Sequence, residues 1–378
     1  MKDVPQQSAT AMVSESRARI DRMRALLERE PQNPHLRKEA IRAACDTQYW
    51  LAAHDLLEAG LQQQPDDAEL LALARRLAPA EVCRELACAL FEQRRFEEAL
   101  RQLLPPRMPD EWQRAHLMRA RCLQGLNRRV EAIADCRAHL ALEPDDAEAH
   151  GLLALLLYER DQRAAVRRHI DQALRRDPTQ CEALLAQASL QLDAHQQALA
   201  HASFEALLDA HPACGPAWHG LALIELERLQ HKSARGHILL ALKSMPDHVA
   251  SWHVFAWIEV MLGRFVAAQR AFQRALGVDR TCGETHGGLA VTAALRGLEN
   301  DARLCITRAL KLDHDSVLAR YAEMLLLEHA GRVKEARDAL VQILARPAPR
   351  GELSYRDLVI RKLMRVRAQD APPPRDQD

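Results

Sequence analysis

Glycine and aromatic residues are scarce in this chain, at 14 glycines and 4% aromatics in 378 residues, and no run alternates apolar with polar positions. A β-sandwich or barrel is thereby excluded, because it needs several such runs bounded by turn residues. With 48% apolar residues, a folded all-α chain is expected. Long apolar runs are missing as well. The longest, from Gly151 to Tyr158, falls far short of the ~20 residues needed to cross a bilayer. The N-terminal MKDVPQQSATAMVSES has no apolar signal core. Cys-x-x-Cys is absent. The nine cysteines are dispersed and odd in number, which fits reduced thiols in a cytoplasmic protein. Neither sign of charge prevails, with 52 basic and 52 acidic residues, so no global field draws the chain to nucleic acid or to an anionic membrane. Arginine outnumbers lysine and alanine is abundant, as GC-rich bacterial coding sequence would produce.

Motifs that carry chemistry are also lacking. There is no glycine-rich phosphate loop, no His-Glu-x-x-His and no nucleophile elbow. Histidine is plentiful at 17, but His248 and His253 are five apart and His195 and His201 six apart. Two metal ligands on one helix face need a spacing of three or four. No catalytic residue, cofactor or metal is expected.

What is present is a period. Stepping by 34 from Ala120 reaches Ala154, Ala188, Ala222, Ala256 and Ala290. The same step from Leu140 reaches Leu174, Leu208, Leu242, Leu276 and Leu310. A third column runs through Ala132, Val166, Ala200, Ala234, Ala268 and Ala302, and prolines recur at Pro144, Pro178, Pro212 and Pro246. Three columns and a proline ladder in one register identify a structural repeat, which decides the fold before any local reading.

The segment from Val249 shows the unit most fully: Trp252, Ala256, Gly263, Phe265, Ala268, Phe272 and Ala275. It resembles the tetratricopeptide repeat, a helix–turn–helix unit of the same length. Segments starting at Gln113, Ala147, Cys181, Gly215, Gly283 and Val317 follow the pattern less fully, the last with Arg320 and Met324 at altered positions. The resemblance covers roughly residues 34–349. It implies a right-handed superhelical solenoid of about eight to nine helix pairs. The pattern also has its own physical sense. Small residues let the two helices of a pair approach, large ones fill the gap to the next pair, and each pair buries its apolar face only by stacking.

Along the chain, residues 1–13 are polar and expected to be disordered. A helix capped by Ser14 or Ser16 should carry Ile20, Met23, Leu26 and Leu27 on one face. Residues 14–110 form an irregular N-terminal subdomain of degenerate repeats, in which Ala68–Pro79 inserts extra helix. The loop Pro105–Asp110 is the expected hinge, because proline cannot continue a helix. The regular array occupies 111–349. A capping helix follows in 350–369, with Leu358, Val359, Leu363 and Val366 on its apolar side, and a disordered tail in 370–378.

The resemblance further implies that recurrent positions of each first helix line a concave groove. There the centre is apolar: Leu223, Leu226, Trp257, Val260 and Met261. Tyr158 and Val291 mark its ends, and His219 and His253 stand one repeat apart on its wall. The Lys and Asn with which some relatives clamp a C-terminal carboxylate are missing at the matching positions. The expected function is non-enzymatic protein binding, by an adaptor, assembly factor or chaperone that grips an apolar peptide or amphipathic helix. The alternative is a self-associating scaffold whose groove is its own oligomer interface.

Overall fold

The computed structural model describes residues 4–104, 112, 114–160 and 162–346, with side chains from residue 15 onward. Among these residues there are 20 α-helices and no strand. The expected hinge at Pro105–Asp110, the capping helix in 350–369 and the tail beyond it lie outside the described residues. By packing, the chain forms two compact units, Met1–Gln187 and Ala188–Asp378.

The first unit holds α1 (Val4–Arg29), α2 (Pro34–Asp46), α3 (Trp50–Gln63), α4 (Ala68–Arg76), α5 (Ala80–Glu92) and α6 (Phe96–Gln102). It continues with α7 (Ala115–Gly125), α8 (Arg129–Leu142), α9 (Ala147–Glu159) and α10 (Arg163–Arg176). Helix α11 (Cys181–Asp193) spans the division between units. The second unit continues through α12 (Gln197–Ala210), α13 (Gly215–Glu227), α14 (His231–Ser244), α15 (Val249–Met261) and α16 (Phe265–Val278). Helices α17 (Gly283–Leu295), α18 (Glu299–Leu312), α19 (Val317–His329) and α20 (Val333–Ala345) complete it.

Two local expectations need correction. Helix α1 already runs from Val4, the first described residue, rather than beginning near Ser14 or Ser16. Leu26 does not share the buried face: Ile20, Met23 and Leu27 are buried, whereas Leu26 is half exposed. Buried residues three and four apart form one stripe, and Leu26 falls beside it.

From Ala147 onward the first helix of each pair starts at 147, 181, 215, 249, 283 and 317, a step of 34 each time. The turns repeat in the same register. Asn127, His195, Leu229, Gly263, Gly297 and Gly331 all have positive φ. Each ends its helix with a Schellman pair of bonds. In α15, Gly263 N donates to Val260 O at 2.9 Å and Arg264 N to Glu259 O at 2.8 Å. The carbonyls left open at the helix end are thus satisfied before the second helix begins.

A side-chain bond also recurs between consecutive repeats. Trp218 Nε1 donates to Pro212 O at 2.9 Å and Trp252 Nε1 to Pro246 O at 2.7 Å. Where histidine replaces tryptophan the contact persists, His150 Nε2 to Pro144 O at 2.9 Å and His286 Nε2 to Arg280 O at 3.3 Å. Indole and imidazole are interchangeable here because each offers a ring N–H to the same carbonyl. The second helices bury one stripe. In α16 it is Ala268, Ala271, Phe272 and Ala275, the alanines admitting the neighbouring helix and the ring filling the space between pairs.

Candidate functional site

The strip expected to bind a partner falls on α9, α13, α15 and α17. Tyr158 lies on α9 in the first unit and is half-buried. The other eight residues belong to the second unit. Leu223 and Leu226 on α13, and Trp257 and Val260 on α15, are half-buried, while Met261 is 53% exposed. Trp257 stands edge-on to Phe272, with ring centroids 5.4 Å apart, and packs against two apolar clusters. It is an anchored ring with part of its surface open.

Val291 does not line a groove. It is 1% exposed and belongs to the core formed by α17, α18, α19 and α20. The cause is the smallness of α17, where Gly287, Gly288, Ala290, Ala293 and Ala294 are all buried. A Cβ added to Gly287 would lie 2.7 Å from Leu318 Cβ, so the missing side chain lets α19 close over α17 and cover Val291. His253 is likewise enclosed, at 7% exposure.

The two histidines serve as struts between consecutive first helices. His219 Nδ1 lies 2.9 Å from Ser251 Oγ, and His248 Nδ1 lies 2.7 Å from the same oxygen. One hydroxyl has one proton, so it donates to one imidazole and accepts from the other; the two rings adopt complementary tautomers. His253 Nε2 repeats the device one unit later, 2.8 Å from Thr285 Oγ1. Burial, and then the His248 ring, hold His219 down to about 4. Burial lowers His248, and it lowers His253 despite the opposing Glu284 carboxylate. These imidazoles are neutral at neutral pH. Ser251 and Thr285 are fully buried, so neither hydroxyl is presented to a substrate.

Sequence reasoning missed the buried carboxylates beside this strip. Glu259 on α15 is fully buried; Arg235 Nε donates to its Oε1, and the Arg264 guanidinium stands 4.0 Å from its Oε2. Glu225, at the same register on α13, is buried with His237 Nδ1 3.1 Å away. The signal was available, as Glu225 and Glu259 stand 34 positions apart in two largely apolar helices.

Two groups have the donors for a metal ion: His54, Glu58 and Glu98, and His139, Glu143 and Asp146. His54 and Glu58 are four apart on α3, which puts both on one helix face. Both groups are already engaged within the protein. Glu98 receives Arg95 on both oxygens, through Nε and through the guanidinium NH2. Asp146 caps α9, accepting from Glu148 N at 2.8 Å, and lies 2.8 Å from His139 Nε2. All nine cysteines are free, and burial pushes the Cys122 and Cys136 thiols up to about 12, away from nucleophilic thiolate.

A separate cavity lies elsewhere. About 670 Å³ in volume, it is lined from α15, α16 and the end of α17, and by none of the nine expected residues. Among the described residues no helix is long and apolar enough to cross a membrane.

No protein-family model and no curated protein matches the chain. Solved structures do. A monomeric mutant of IFIT1 with Gppp-AAAA is 15% identical and superposes with a TM-score of 0.51, covering 89% of this chain and 84% of that one. The APC/C hetero-tetramer Cut9–Hcn1 is 13% identical with a TM-score of 0.51, over 82% of this chain and 58% of that one. PilF of Pseudomonas aeruginosa is 14% identical with a TM-score of 0.47, over 59% of this chain and 98% of that one. At these identities the likeness is one of fold. Helix pairs at a constant 34-residue step, left-handed turns in register and small residues where paired helices meet give this chain the fold of a tetratricopeptide-repeat array.

Proposed function

We propose that the chain is a non-enzymatic protein-binding array, an adaptor, assembly factor or chaperone that holds an apolar peptide or amphipathic helix against α13 and α15. One observation carries this reading. Leu223 and Leu226 recur one repeat later as Trp257 and Val260; all four stay partly open, and Met261 beside them is 53% exposed. Apolar side chains that a fold leaves open in register over two repeats suit a partner with apolar groups at helical or extended spacing. The neutral histidines beside them add no charge that would repel such a partner. We place the protein in a reducing cytoplasm, which suits nine free thiols.

The test is capture of partners by wild type, Trp257→Ala and Met261→Glu from native lysate, with melting temperatures measured in parallel. Loss of one partner with both variants, at unchanged melting of Met261→Glu, supports the strip. Retention of every partner by Met261→Glu would sink it. A change in oligomer size by light scattering with that variant would make the strip a self-association interface instead.

A further inference from the structure

We propose that the cavity beside α15 and α16 is a second binding site, for an acidic peptide segment that carries an aromatic side chain. It goes beyond the reading above and stands or falls separately from it, since no residue is shared.

The cavity joins an apolar floor to a set of arginines. Its floor is apolar and aromatic, built from Trp252, Phe255 and Phe265 with Val266 and Ala271 beside them. Trp252 and Phe255 meet edge to face, with centroids 6.2 Å apart, so the floor offers ring surface rather than a closed stack. Arg264, Arg270, Arg274 and Arg296 also line it, and no carboxylate does. Arg264 has a counter-charge in buried Glu259, 4.0 Å away. Among the described residues no carboxylate comes within ion-pair distance of Arg270, Arg274 or Arg296, and Arg296 donates to the neutral Oε1 of Gln269.

Uncompensated guanidinium groups beside aromatic surface recognise a ligand that has both complements. Carboxylates meet the planar forks of arginine in charge-assisted hydrogen bonds, and a flat apolar group meets the floor. At about 670 Å³ the cavity lies within the ~300–1,000 Å³ of small-ligand pockets, enough for an aromatic anchor and its acidic neighbours.

A nucleic-acid strand fits less well. Strand binding uses a basic groove that follows the backbone over several nucleotides. Here the basic cluster does not recur as a set along the array. One repeat earlier the four arginine positions are Gln230, Gly236, Leu240 and Leu262; one repeat later they are Leu298, Leu304, Arg308 and Ala330. The chain as a whole has a formal net charge of +0.

Fluorescence anisotropy with the full chain tests this. The probes are a fluorescein-labelled peptide of alternating phenylalanine and aspartate, its counterpart of alternating phenylalanine and lysine, and a labelled oligouridylate of equal length. The expected result is binding of the acidic peptide alone, weakened about ten-fold or more by Arg270→Glu with Arg274→Glu and unchanged by Met261→Glu. Both arginines are exposed, so the double variant should melt with wild type. It should also gain binding of the lysine peptide, a readout that a folding defect does not produce. Equal binding of both peptides, preference for the oligouridylate, or an acidic-peptide affinity that ignores the double variant would each overturn the proposal.

Discussion

The ring of Phe272 fills the volume that a side chain on Gly288 would need: a Cβ built there would lie 2.4 Å from Phe272 Cε1 and Cζ. The same pairing occurs two repeats earlier, where a Cβ on Gly220 would lie 2.3 Å from Phe204 Cζ. Where the ring gives way to Ile170, Ile238 or Ile306, the residue at the matching offset is Ala186, Val254 or Ala322. Volume lost on one helix is thus matched by volume gained on the next, so that neighbouring repeats are not interchangeable.

Gly288→Ala should therefore destabilise the second unit by about 1–3 kcal/mol, the usual range for overpacking a close-packed core. Adding Phe272→Leu should recover part of the loss. Urea melts of the two single variants and the double variant check this, and additive losses in the double would contradict the pairing.

Leu229 holds the left-handed turn position with φ +60 and is 48% exposed, whereas Gly263, Gly297 and Gly331 take that place in the next three repeats. A side chain there costs about 1–2 kcal/mol, and glycine returns roughly 0.5–1 kcal/mol of that through the looser unfolded chain. Leu229→Gly should raise stability by roughly 0.5–1 kcal/mol, read as a higher melting temperature.

Arg235 partners the fully buried carboxylate of Glu259. Removing the cation alone leaves that charge enclosed, with Arg264 4.0 Å away as its remaining counter-ion. Arg235→Met should cost about 3 kcal/mol or more, and Arg235→Met with Glu259→Leu clearly less. A double variant as unstable as Arg235→Met would show that packing, not charge, is what Arg235 supplies.

Stability should decline as pH falls from about 6.5 towards 4. Free imidazole titrates near 6.5, whereas His219 in the fold is held down to about 4. Above that window neither state binds the proton. Within it the unfolded chain does and the fold does not, which removes up to ~1.4 kcal/mol per pH unit for one proton. Below it both states bind and the slope ends. Urea midpoints of His219→Gln should fall less steeply than those of wild type, and equal slopes would exclude His219 as a source.

The period, the pairing of helices and the turn positions were legible in the sequence because they depend on spacing. Small residues, apolar stripes and glycine at the turns impose them locally and repeat by repeat. The N-terminal helix extends further back than spacing indicated, since Gln6 to Ser16 contain nothing that halts a helix. The strip around Trp257 was legible in composition but not in exposure. Val291 occupies the register position of Leu223 and Trp257, yet Gly287 lets α19 close over it.

What only the tertiary structure decided involves residues whose meaning depends on distance in space. His219, Ser251 and His248 meet although none is spaced as a ligand pair, and burial makes them neutral struts. Arg264, Arg270, Arg274 and Arg296 are dispersed in sequence, and become one arginine-lined cavity when α16 and the end of α17 come together. Register determined the fold, because a repeat needs only its neighbour. Which faces stay open was decided by the size of side chains on adjacent helices, a quantity that no single position records.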